Sequence, residues 1–120
     1  MEDLLKQNNV IIISKSSFTS NSAKVGGGLS IIGLEALIIH SEFTDNYASL
    51  MGGALYYKSV TYKSVSTTLN IADNTVEGNV AQLAGGMFIS GGSIGNVSSI
   101  EVFFSNNDGQ LRGDNLEEYP

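Results

Sequence analysis

Apolar residues in this chain fall in short pairs spaced by two, and the pairs recur at comparable intervals. Ile11 and Ile13, Ala36 and Ile38, and Leu69 and Ile71 each put two apolar side chains on one face of an extended segment. Five positions after the second member of each pair comes a large apolar residue: Phe18, Phe43 and Val76. Ser16, Ser41, Asn74 and Val102, two positions before each anchor, continue the alternation. A period of two predicts strands, not helices. In the fourth set, Val97 and Ser99 precede Phe104, and the apolar residue there is Ile100 in place of Ser99. That mismatch predicts a bulge or a register change at this point.

The anchors open a longer repeat. Phe18 is followed three places on by Asn21, Phe43 by Asn46, Val76 by Asn79 and Phe104 by Asn107. Two residues beyond each Asn stands a small one, Ala23, Ala48, Ala81 or Gly109, and six beyond stands Gly27, Gly52, Gly85 or Gly113. Successive anchors are separated by 25, 33 and 28 residues, a spacing that belongs to solenoids. The expected fold is all-β: a right-handed, single-stranded parallel β-helix of about four coils. The whole chain, 1–120, reads as one domain, with 1–9 as a lead-in or cap, repeats over 10–116 and a tail at 117–120.

Stacking coils about 4.8 Å apart turns equivalent residues into columns. Phe18, Phe43, Val76 and Phe104 are expected to form an apolar stack, and Asn21, Asn46, Asn79 and Asn107 an amide ladder. An amide both donates and accepts, so each can bond along the axis. Gly27, Gly52, Gly85 and Gly113 are the expected turn glycines.

Composition supports strands separated by tight turns. There are 14 Gly and a single Pro, the final residue Pro120, and only 15% of residues are charged. The apolar share of 42% supports a packed interior. A net charge of −6, with Arg112 the only Arg and the Lys residues scattered, argues against nucleic acid and against a polybasic membrane surface. Even an uninterrupted apolar run such as Val10 to Ile13 is far too short to cross a membrane as a helix. Without Cys there are no disulfides or thiolate zinc sites, and no metal or other cofactor is expected.

The pattern of Phe43 to Asn46 followed by Gly52-Gly53-Ala54-Leu55 resembles the polymorphic outer membrane protein repeat of chlamydial autotransporter passengers. The resemblance runs from residue 10 to about 116, with Val76 replacing Phe in the third copy and the second Gly lost in the fourth. It implies a pectin-lyase-like β-helix displayed at the cell surface or outside the cell, often in adhesion. The implied partners are a host or cell-surface protein or glycan.

The widest interval holds a doubled Tyr-Lys-Ser-Val, at Tyr57 to Val60 and Tyr62 to Val65. A hairpin-like excursion or an extended strand beside the stack is expected there, because insertions in solenoids form loops. Tyr57, Lys58, Tyr62 and Lys63 are the candidate contact surface, set against the plainer role of covering one flank. Asn96 opens the one glycosylation sequon, Asn96-Val97-Ser98.

An enzyme of this fold needs converging carboxylates. Asp45 and Glu77, at adjacent offsets in successive repeats, are the nearest candidates for a pair, and solvated turn residues are the simpler reading. His40 is the sole histidine, and strand alternation directs it outward. No catalytic residue is assigned. The expected function is a non-enzymatic structural or adhesive module, which stacks on copies of itself end to end or binds a surface partner. Its rival is a fragment of a pectin-lyase-like carbohydrate-active enzyme.

Overall fold

The computed structural model describes residues 10–91, 94–97 and 102–119. Four coils of four strands each make up the stack. The first holds β1 (Val10–Ser14), β2 (Ser17–Thr19), β3 (Ser22–Val25) and β4 (Leu29–Ile32). The second holds β5 (Glu35–Ile39), β6 (Glu42–Thr44), β7 (Tyr47–Met51) and β8 (Leu55–Lys58). A small pair, β9 (Thr61–Tyr62) and β10 (Val65–Ser66), then leaves the stack. The third coil holds β11 (Leu69–Ala72), β12 (Asn74–Glu77), β13 (Val80–Leu83) and β14 (Met87–Ser90). The fourth holds β15 (Ile94–Val97), β16 (Val102–Ser105), β17 (Asp108–Arg112) and β18 (Leu116–Tyr119).

Each strand pairs in parallel with its counterpart one coil away, giving four sheets of four strands along the axis. The chain is a β-solenoid, all-β among the described residues. The register puts Phe18 against Phe43, Phe43 against Val76 and Val76 against Phe104. The Phe18 and Phe43 rings stack at 4.8 Å with an interplanar angle of 10°. Beside this column run Ile13–Ile38–Ile71 and Leu29–Leu55–Met87–Leu116. Phe43, Ile38, Leu55, Leu69, Val76 and Met87 are buried completely, so the core is a shaft of apolar columns. Burying such side chains stabilises the fold by roughly 1.5–3 kcal/mol each.

Strands this short need corners, and three of them use a single left-handed residue. Lys15, His40 and Asp73 sit at the first corner with φ of 51°, 51° and 55°. Ser20, Asp45, Gly78 and Asn106 hold the second, with φ between 54° and 70°. The third corner holds Gly26, Gly52, Ala84 and Gly113, with φ of 63°, 69°, 57° and 71°.

At this third corner the structure departs from a count of residues along the chain. Val25 faces Met51 and Leu83 faces Arg112, with a register shift before each pair. Coils two and four thus carry one extra residue, a bulge in the third sheet. The expected column of Gly27, Gly52, Gly85 and Gly113 separates into two. Gly52 and Gly113 are left-handed turn residues in line with Gly26 and Ala84. Gly27 and Gly85 lie one position on, in line with Gly53. A Cβ on Gly27 would stand 2.4 Å from the Gly53 carbonyl oxygen, and one on Gly53 2.2 Å from that of Gly85. These glycines are required by the closeness of the next coil rather than by their own dihedrals.

In the fourth coil, Ile94 pairs with Leu69 and Val97 with Ile71, with a register shift between them. The Val97 backbone is thus paired with Ile71, two residues on from Leu69, the partner that its offset to Phe104 suggests. Ser99, Ile100 and the 1–9 lead-in lie outside the described residues.

Candidate functional site

Two features stand out from the apolar shaft: polar ladders at two corners and a hairpin on the flank. The amide ladder runs through all four coils. The Asn21 amide NH₂ donates to Asn46 Oδ1 at 3.2 Å, Asn46 to Asn79 at 2.9 Å, and Asn79 to Asn107 at 2.9 Å. The same oxygens accept the backbone N–H of the preceding coil's Asn, each at 2.9 Å. The NH₂ groups also reach back to the carbonyls of Phe18, Phe43 and Val76. Asn46 and Asn79 are buried with every side-chain polar atom bonded. The left-handed residue just before each Asn turns the chain so that its side chain points inward.

A second ladder occupies the first corner. The backbone N–H of Ser16 donates to Ser41 Oγ at 3.2 Å, and that of Ser41 to Asn74 Oδ1 at 3.0 Å. Asn74 Nδ2 donates to the Ile38 carbonyl at 2.9 Å. The spacing of Ser16, Ser41 and Asn74 reads as plain strand alternation. The signal missed there was the shared hydrogen-bonding chemistry of three successive residues in one column.

The excursion is an antiparallel hairpin with Val65 opposite Tyr62 and Ser66 opposite Thr61. Lys63 and Ser64 form its tip, both left-handed at φ 51° and 64°, as a two-residue hairpin turn requires. Its base is tied down by Ser59 Oγ donating to the Thr67 carbonyl at 2.7 Å and by the Val60 N–H donating to Thr67 Oγ1 at 3.0 Å. Glu35 in the second coil accepts from the backbone N–H and the hydroxyl of Thr68, at 2.8 and 2.5 Å. Tyr62 and Val65 remain 66% and 68% exposed on facing strands, and the Lys63 ammonium lies 5.5 Å from the centre of the Tyr62 ring.

Of the four candidate contact residues, the structure brings Tyr62 and Lys63 together at the hairpin tip and leaves Lys58 exposed on β8. Tyr57 is not part of this surface. It is fully buried in line with Ile31 and Ile89, and its hydroxyl donates to the Leu34 carbonyl at 2.7 Å. Alternation along β8 decides this, since Leu55 and Tyr57 point inward while Tyr56 and Lys58 point out. Burial pushes the Tyr57 phenol above its ordinary value, with a smaller push from the Glu35 charge, against a hydrogen bond with Thr67. Tyr56 lies outside the shaft, stacked on Phe88 at 5.8 Å.

The other candidates occupy corners. His40 Nδ1 lies 3.6 Å from Asp73 Oδ2, with both side chains about half exposed, a geometry that contributes little to stability. Asp45 is in line with Gly78 at the second corner and leans over it, so that a Cβ there would meet Asp45 Oδ1. Glu77 precedes that corner, paired with Thr44, and both acids are exposed. Among the described residues, no three of His, Asp and Glu gather around a common point that could hold a metal ion. Asn96 lies on β15.

Neither protein-family models, curated proteins nor solved structures gave a match to this chain.

Proposed function

We propose that this chain is a non-enzymatic, extracellular or cell-surface β-solenoid module, in which the stack is a stiff support and the 61–66 hairpin is the contact point. The observation that carries this reading is the hairpin itself. It is the one excursion among the described residues that leaves the stack as a paired element. It is clamped at its base through Ser59, Thr67, Thr68 and Glu35, and it presents Tyr62, Val65 and Lys63 to solvent. An exposed aromatic ring with an adjacent ammonium suits a glycan or a protein surface, where an amphipathic ring supplies contact area at low entropic cost. The similarity of Phe43–Asn46 and Gly52–Leu55 to a surface-displayed adhesive repeat supports the same reading.

The rival, a fragment of a carbohydrate-active enzyme, has weaker support. Asp45 and Glu77 stand at a solvated corner rather than across a cleft. Binding of the purified chain to arrayed glycans and to intact cell surfaces, beside a Tyr62→Ala/Lys63→Ala variant, tests the proposal. Binding that disappears in the variant while thermal unfolding is unchanged supports it. Equal binding by the two chains, or binding by neither, overturns it.

A further inference from the structure

We infer that Asp114 and Asn115 are an end cap whose side chains imitate the coil that would follow the fourth, closing this end of the stack to a further coil of its own type.

The columns establish the comparison. Asp114 stands in line with Gly27, Gly53 and Gly85, and Asn115 in line with Gly28, Ala54 and Gly86. In the first three coils these positions hold nothing larger than a methyl, because the direction a side chain would take is filled by the coil below. A Cβ on Gly27 would lie 2.5 Å from the Tyr47 carbonyl oxygen, one on Gly53 2.7 Å from that of Val80, and one on Gly85 2.6 Å from that of Asp108. A Cβ on Gly28 would lie 3.1 and 3.2 Å from Nδ2 and Cγ of Asn46, the next amide of the ladder. A side chain in the first column therefore projects along the axis to where the next coil's carbonyl sits, and one at Gly28 in the second column to where the next ladder amide sits.

Asp114 and Asn115 fill those places with matching chemistry. The parallel register assigns the amides of Ala23, Ala48 and Ala81 to the carbonyls of Tyr47, Val80 and Asp108 below them. Gly109 is the next residue of that column, and its N–H donates to Asp114 Oδ1 at 3.1 Å. The ladder amides of Asn21, Asn46 and Asn79 each donate to the Asn Oδ1 one coil on. Asn107, the next of these, donates to Asn115 Oδ1 at 3.2 Å. A carboxylate thus replaces a backbone carbonyl, and an amide replaces an amide. Open strand edges recruit further strands, and filling their hydrogen bonds internally is one way to stop that. Glu118 adds a second barrier by continuing the Ile31–Tyr57–Ile89 column with an exposed carboxylate.

Hydrogen exchange on the full chain, beside Asp114→Gly/Asn115→Gly, tests this. The Gly109 amide should exchange about tenfold faster or more in the variant, while those of Ala48 and Ala81 keep their protection. Asp114→Asn retains an acceptor oxygen and should keep Gly109 protected. If the double variant does not fold, Asp114→Ala gives the same reading at Gly109. Unchanged Gly109 exchange in the variants, or acceleration spread evenly over all coils, overturns the cap. Sedimentation and electron microscopy of the wild-type chain test the closure: absence of end-to-end growth agrees with it, and ordered filaments overturn it.

Discussion

The two polar corners of this solenoid perform the same task with different residues. At the second corner the column is Asn in every coil, and from the second coil on each amide joins the backbone N–H and carbonyl of the preceding coil as well as the next amide. At the first corner the column runs Ser16, Ser41, Asn74 and Val102. Ser41 accepts one backbone N–H from the coil above, and both serines turn their own proton back to the local chain, Ser16 to the Ser14 carbonyl and Ser41 to that of Ile39. Asn74 restores the longer reach and caps the Ile38 carbonyl. What sets the strength of a corner is therefore how many groups of the neighbouring coil one side chain can satisfy. Asparagine reaches two backbone groups and another amide, whereas serine reaches one group.

Removing the best-connected amide should have the largest effect. Asn79→Ala strips the Asn46 N–H of its partner, takes one of two donors from the Phe43 carbonyl and breaks the ladder in the middle. With roughly 1–3 kcal/mol for the buried N–H left unsatisfied and about 1 kcal/mol for each further hydrogen bond lost, the expected loss is about 4 kcal/mol, read from denaturant unfolding. Asn74→Ala leaves the Ser41 N–H without a partner and takes one of two donors from the Ile38 carbonyl, which keeps its ladder bond to the Ala72 N–H, but it breaks no chain of amides, and about 3 kcal/mol is expected. If it costs more than Asn79→Ala, the linked ladder adds nothing. Ser41→Asn should act in the opposite direction. An amide at this buried position can accept from Ser16 and also donate upward, and a gain of about 1 kcal/mol is expected in the same assay. A loss would mean that the first corner lacks room for the longer side chain. Ser16→Ala should matter least, below about 0.5 kcal/mol, because its hydroxyl bond is exposed and local. A cost matching that of Asn74→Ala would refute the ranking by reach.

Much of this architecture was legible in the residues because each column repeats one chemistry. Phe18, Phe43, Val76 and Phe104, and the four Asn that follow them, share one offset, and no bulge falls between anchor and amide to disturb it. The turn glycines were blurred for the opposite reason. A one-residue bulge in coils two and four shifts the count after the Asn, so a fixed offset picks Gly52 and Gly113 from one column and Gly27 and Gly85 from its neighbour. Ala84, left-handed without being glycine, hid the true turn column further.

The sequence by itself determined the period, the alternation and the identity of the stacked columns, since these depend on which residues recur and on strand geometry alone. Tertiary structure decided which neighbours those residues meet. It put Tyr57 in the shaft and Tyr62 in solvent, although both belong to the same doubled motif, because β8 belongs to the stack and β9 to the hairpin. It also gave the loss of glycine at 114 and 115 a meaning. Whether a side chain at a corner is a defect or a cap depends on whether another coil must pass over it, and only the stacking of the preceding coils locates that passage.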